Sequence, residues 1–136
     1  MSNWRSTLRK GVLLMLDMKK TLTKLMKAPI VVEQGTASDS FYRKYSDGTL
    51  EVWMSYYGDV TFSADRATRA FTLPVSFVGT PYMFATVNGD SSVYWSAVIN
   101  CRFSATNSIS VIVERKPTTT GDHIVGISLY AVGKWK

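Results

Sequence analysis

Cysteine and histidine each occur once in these 136 residues, as Cys101 and His123. A lone cysteine excludes an internal disulfide and a cysteine-built zinc site; its place in an apolar alternation reads as a buried thiol. Any multi-histidine metal centre or Ser-His-Asp triad would depend on His123, which stands beside an apparent turn. No uninterrupted apolar run is long enough to span a bilayer, so membrane insertion is not expected. The Val12-Leu13-Leu14-Met15-Leu16 run is followed by Lys19, Lys20, Lys24 and Lys27 with no small-residue cleavage site, which argues against a signal peptide. Gly-x-Ser-x-Gly, Walker, dinucleotide and EF-hand patterns are all missing. Glycoside cleavage needs two facing carboxylates, and only Asp59 and Asp65 come near that, with a predicted strand between them. Two acidic loop residues in solvent is the simpler account. The expectation is a non-enzyme with no catalytic residues, no metal ligands and no cofactor.

Net charge is also missing from most of the chain. Residues 1–28 carry seven basic side chains against Asp17, a balance of +6, while residues 29–136 hold nine of each sign. A nucleic-acid reader carries its positive charge on the folded reading surface, so no nucleic-acid partner is expected. The basic segment itself reads as one amphipathic helix over 4–27. Leu8, Met15 and Leu22 repeat every seven residues, as do Trp4, Gly11, Met18 and Leu25, which places the two series at a and d of a heptad. Val12, Leu14, Leu16 and Met26 widen the stripe beyond a two-stranded seam. That width suits a trimer, or a helix that also packs on the rest of the chain. The lysines lie mostly off the seam, as a solvated coiled-coil face requires. Ser2 or Asn3 can cap the start, and Pro29 ends the helix. The expected trimerisation residues are Leu8, Met15, Met18, Leu22 and Leu25.

Beyond Pro29 the pattern changes to strands. Residues 29–40 read as a linker containing a short extended Ile30-Val31-Val32 segment and a polar Gln34-to-Ser40 stretch. Strands are expected near 41–45, 49–57, 60–63, 69–73, 82–87, 93–103, 108–115 and 124–132. Breaks fall at Ser46-Asp47-Gly48, Gly58-Asp59, 78–81, Asn88-Gly89-Asp90, Thr106-Asn107 and 116–122. Asp47-Gly48 and Asn88-Gly89 are hairpin signals, and a two-residue turn of that kind wants positive φ at both central residues. Short strands at this spacing indicate an antiparallel β-sandwich over 41–136. Alternation sorts its faces. Ile109, Val111 and Val113 point one way, with Ser108, Ser110, Ile112 and Glu114 on the other; Ile127, Leu129 and Ala131 oppose Ser128, Tyr130 and Val132; and Leu50, Val52 and Met54 oppose Glu51, Trp53 and Ser55. Strands apolar on both faces are expected where one face is core and the other meets a neighbouring subunit.

Binding chemistry is better represented than catalysis. Aromatic rings can stack on the apolar face of a sugar while planar polar groups grip its hydroxyls. Tyr56, Tyr57, Asp59, Trp95 and Arg102 supply those types and are the candidate ligand residues, with Tyr94, Arg66, Asn88 and Asp90 near them in sequence. The same aromatics also serve simply to fill sandwich cores and subunit contacts.

Four blocks resemble a known family: Tyr42-Arg43-Lys44-Tyr45-Ser46-Asp47-Gly48-Thr49, Glu51-Val52-Trp53, Phe71-Thr72-Leu73-Pro74-Val75-Ser76-Phe77, and Ala131-Val132-Gly133-Lys134-Trp135-Lys136. In order and spacing, over residues 31–136, they look like the C-terminal β domain of bacteriophage tail-fibre and minor tail (receptor-binding) proteins. The resemblance implies a β-sandwich related in shape to the H-type lectins, assembled as a homotrimer beside other tail proteins. It implies a place in the virion tail after synthesis in the bacterial cytoplasm, touching the host surface. The family commonly ends a long fibre, whereas one short helix precedes the domain here, as in a fibre fragment or a small separate gene product. Its ligand residues follow no fixed motif, so none is carried over by position. The function expected is non-catalytic attachment to a bacterial surface carbohydrate, made avid by trimeric display. A purely structural trimeric tail or baseplate component is the alternative, and a cell-wall glycan hydrolase a weaker third.

Overall fold

The computed structural model describes residues 4–89 and 95–136. One helix, α1 (Trp4–Lys27), has the bounds its heptads predict. Lys24 and Lys27 lie in its last turn, where cations meet the negative end of the helix dipole. The Ala28 N–H donates to the Leu25 carbonyl at 3.2 Å just before Pro29 stops the coil. Met15, Met18, Leu22 and Leu25 are all exposed in the single chain. The capping residues Ser2 and Asn3 and the side chain of Leu8 lie outside the described residues.

The chain divides between Ile30 and Val31, and the second unit is an antiparallel β-sandwich. Its strands are β1 (Val31–Ala37), β2 (Ser40–Tyr45), β3 (Thr49–Phe62), β4 (Arg66–Thr72), β5 (Val78–Gly89), β6 (Trp95–Ala105), β7 (Ser108–Lys116) and β8 (Gly121–Lys134). One sheet has the order β1-β2-β3-β8-β5 and the other β4-β7-β6. Between them lie Leu50, Val52, Met54, Val60 and Phe62 of β3 and Val125, Ile127, Leu129 and Ala131 of β8. Facing these are Ala67, Phe71, Ile109, Val111 and Val113 of the second sheet. The alternation-based face assignments for β3, β7 and β8 are those the core shows. Buried among these apolar residues is one arginine, Arg115, 1 % exposed. Its guanidinium lies 4.6 Å from the Phe62 ring centroid, and its Nε donates to Ser96 Oγ at 3.2 Å.

Several local expectations change. Residues 31–37, read as linker, form the edge strand β1, because Glu33 to Ala37 pair in register with β2. Gly58 does not break β3, which runs through it for 14 residues paired to β8. The Tyr56 ring lies over Gly58, and its hydroxyl donates to the Asp59 carbonyl at 2.8 Å. The glycine is there for that close approach. Asn88-Gly89 forms no tight hairpin between its flanking strands: β5 pairs with β8, and β6 belongs to the other sheet. Asp90, Val93 and Tyr94 lie outside the described residues. At Ser46-Asp47-Gly48 the hairpin is real, but positive φ falls on Gly48 alone (85°). The Gly48 N–H donates to the Tyr45 carbonyl at 3.0 Å, the geometry of a turn followed by a left-handed glycine. The chain's last residues clamp this turn. Trp135 donates its backbone N–H to the Gly48 carbonyl (3.0 Å) and its indole N–H to the Tyr45 carbonyl (3.1 Å).

Candidate functional site

Because side chains alternate along each strand, the outer face of the five-stranded sheet is built from rows of residues opposite one another. One row is aromatic: Phe41 of β2 pairs with Trp53 of β3, which pairs with Tyr130 of β8, which pairs with Phe84 of β5. Ring centroids lie 5.4 Å apart for Phe41–Trp53 and 5.5 Å for Trp53–Tyr130, both tilted. Phe84 at the end is 67 % exposed. The next row is of hydroxyls, with Ser55 opposite Ser128 and Ser128 opposite Thr86. Between these rows runs a groove of about 600 Å³, closed at one end by Ser38 and Asp39 of the β1–β2 turn. That turn is pinned because the Ser55 N–H donates to the Asp39 carbonyl at 2.9 Å. Ser38 takes φ 49°, an uncommon conformation for a residue with a side chain.

The other flank of the aromatic row is fixed by charge. Glu51 accepts from the Tyr45 hydroxyl at 2.6 Å and from the Tyr130 hydroxyl at 2.7 Å. Burial, with Glu51 as second cause, pushes the Tyr130 phenol up to about 12. The hydrogen bond to Glu51 raises the Tyr45 phenol as well. Arg43, opposite Glu51, lays its guanidinium over Phe41 (5.1 Å) and Trp53 (5.6 Å). This cation–π contact holds both rings in the sheet's outer layer. On the hydroxyl side, the Asn88 amide donates to Ser128 Oγ at 2.5 Å. The Asn88 side chain occupies the space that any Cβ at Gly126 would need.

The five candidate ligand residues are divided between faces. Tyr57, 75 % exposed, and Asp59 lie on the outer face of the five-stranded sheet, continuing it beyond the hydroxyl row. Tyr56 points the other way, packs edge-on against Phe71 at 5.4 Å and sits under Arg69 at 4.8 Å. Trp95, 60 % exposed, and Arg102 lie on β6 of the second sheet, opposite Lys116 and Ser110. The structure therefore brings Tyr57 and Asp59 together but places Trp95 and Arg102 on the other sheet. Of the two carboxylates considered for hydrolysis, Asp65 accepts from Lys116 Nζ at 2.8 Å, which lowers its pKa, and Asp59 stands on the exposed face. Cys101 is half-buried, and burial raises its thiol. Among the described residues no group of three or more His, Cys, Asp or Glu side chains is placed to hold a metal ion. Among the described residues no helix is long and apolar enough to cross a membrane.

Sequence reasoning alone did not single out Phe41, Trp53, Phe84, Tyr130 or Asp39. A partial signal existed, since alternation already put Trp53 and Ser55 opposite the core residues of β3, and Ser128 and Tyr130 opposite those of β8. What it lacked was the pairing of β3 with β8 and of β8 with β5, which assembles single residues into rows.

No family model and no curated protein matches the sequence. Among solved structures, the chain is similar to the P. aeruginosa R1 pyocin fibre comprising C-terminal residues 323–701, at 18 % identity and a TM-score of 0.51. The match covers 76 % of this chain and 28 % of that one, so the chain spans little more than a quarter of its neighbour's length. At that identity the likeness shows the fold, which is tail-fibre-like.

Proposed function

We propose that this chain is an attachment domain of a phage tail fibre or tail-like fibre, and that it holds a bacterial surface glycan without cleaving it. The observation that carries the reading is the groove of the outer sheet face, where a row of four aromatic rings runs beside a row of three hydroxyls and a terminal carboxylate. Rings offer a platform for the apolar faces of sugars, and hydroxyl and carboxylate groups offer partners for sugar hydroxyls. This is the mix of a wide apolar surface with few placed polar groups that ligand sites use. Tyr57 and Asp59 extend the same face and belong to this proposal; Trp95 and Arg102 would contribute through a separate contact. The fibre-like fold supports the setting, and the relation in shape to H-type lectins is part of the reading. In this proposal α1 joins three copies through Leu8, Met15, Met18, Leu22 and Leu25, so that weak single-site affinity is multiplied.

A structural reading draws on one observation. Tyr82 (84 % exposed), Phe84 and Val78 stand on the edge strand β5 as uncovered apolar surface, which suits contact with a second copy. A glycan array of host cell-wall polysaccharides probed with the full chain separates the two. Binding to a defined polysaccharide is expected; silence across the relevant hosts would favour a structural cap.

A further inference from the structure

We propose that the groove takes an uncharged oligosaccharide, laid across the strands along the aromatic row, and discriminates against sugars bearing carboxylate, phosphate or sulfate groups. The proposal rests on the reading of this groove as a glycan site and names the class of sugar that fits it.

Charge is the first argument. Of the twelve residues lining the groove, Asp39 alone has a carboxylate side chain and none has a cationic one. Tyr130, with its phenol pushed up to about 12, stays neutral at physiological pH. The cation closest in the pairing scheme, Arg43, lies over the faces of Phe41 and Trp53 in the row beyond the rings, opposite Glu51. An acidic sugar in the groove would therefore meet the Asp39 carboxylate with no lining cation to offset it. Like charges brought together in a partly desolvated site repel strongly enough to set specificity. Neutral hydroxyls meet no such barrier, and a carboxylate accepts from them through charge-assisted hydrogen bonds.

The second argument is length. The ring row crosses four neighbouring strands, three inter-strand spacings or about 14 Å in all. That exceeds one sugar ring, so the row suits several linked sugars. The third is donor and acceptor balance. Ser128 Oγ accepts from the Asn88 amide, which leaves the Ser128 hydroxyl proton free to donate toward a ligand oxygen. Thr86 Oγ1 donates to the Val87 carbonyl at 3.3 Å and keeps its lone pairs for accepting. Asp39 only accepts. A hydroxyl-rich chain, which both donates and accepts, satisfies all three.

The test uses the intact chain and a panel of surface polysaccharides of defined composition. Half contain only hexoses and N-acetylhexosamines; half carry uronate or phosphate groups. The uncharged members are expected to bind, with affinity changing less than about twofold between about 50 and 500 mM salt. Asp39→Asn and Phe84→Ser, both at exposed positions, should each weaken that binding about fivefold or more. Preferential binding of acidic members, collapse of binding in salt, or tighter binding by Asp39→Asn would overturn the uncharged-sugar proposal while leaving a glycan site in place. No binding by any member, or binding indifferent to both variants, would remove the groove as a glycan site and this proposal with it.

Discussion

Glu51 serves two phenols at once, and the pH response of the outer face follows from it. Tyr130 and Tyr45 both donate to its carboxylate, and both phenols are raised above their ordinary value near 10. A phenol whose folded pKa exceeds its unfolded one adds stability that is fully present below about pH 10 and is lost as pH rises toward about 12. For Tyr130 the contribution should be about 1 kcal/mol, below the full linkage because the half-buried ring is partly screened. Denaturant unfolding between about pH 8 and 12 should show Tyr130→Phe losing less stability with rising pH than the parent chain. An unchanged slope would remove Tyr130 from the account. At this scale the sequence was half legible. Alternation placed Trp53 and Tyr130 off the core, but the hydrogen bond that joins Tyr130 to Glu51 spans two strands whose pairing no local pattern reveals.

Elements were legible where a single period governs them. The heptads placed α1 at residues 4–27, and the period-2 runs placed the core faces of β3, β7 and β8. They were misread where glycine has two uses. Gly58 and Asn88-Gly89 have the composition of turns, yet Gly58 lies beneath the Tyr56 ring and Gly89 ends a strand paired to β8. β1 was hidden because an exposed edge strand has little need of apolar alternation. The same substitution at two glycines should therefore have opposite signs. Gly11 has nothing within 4 Å of a Cβ, and Gly11→Ala should stabilise α1 by about 1 kcal/mol. A Cβ at Gly58 would lie 2.8 Å from the Tyr56 hydroxyl. Gly58→Ala should displace that ring from Phe71 and Arg69 and destabilise the sandwich by about 1–3 kcal/mol. Circular dichroism during thermal melting, read separately at helix and sheet wavelengths, checks both; a destabilised helix or an unaffected sandwich would contradict them.

For the whole molecule, the proposal joins a helix that carries the net charge to a sandwich that is neutral. The exposed seam of Met15, Met18, Leu22 and Leu25 is the basis for expecting three copies. Sedimentation of the full chain should give a trimer, and removal of residues 1–28 should weaken it; a monomer in both cases would sink the coiled-coil assignment. Composition supplied only an expectation, since one histidine and one cysteine leave few of the groups that catalysis commonly uses. It could not reveal the groove, which exists only once the β2–β3 hairpin lies beside β8 and β5, both far from it in sequence. The central claim is that this groove makes the contact with the bacterial surface. Adsorption of the intact chain to whole host cells, compared with Trp53→Ala and Phe84→Ser after circular dichroism has verified their folds, tests it most directly. At least about tenfold weaker adsorption by each variant is expected, corresponding to about 1.4 kcal/mol. Full adsorption by both folded variants would contradict the account.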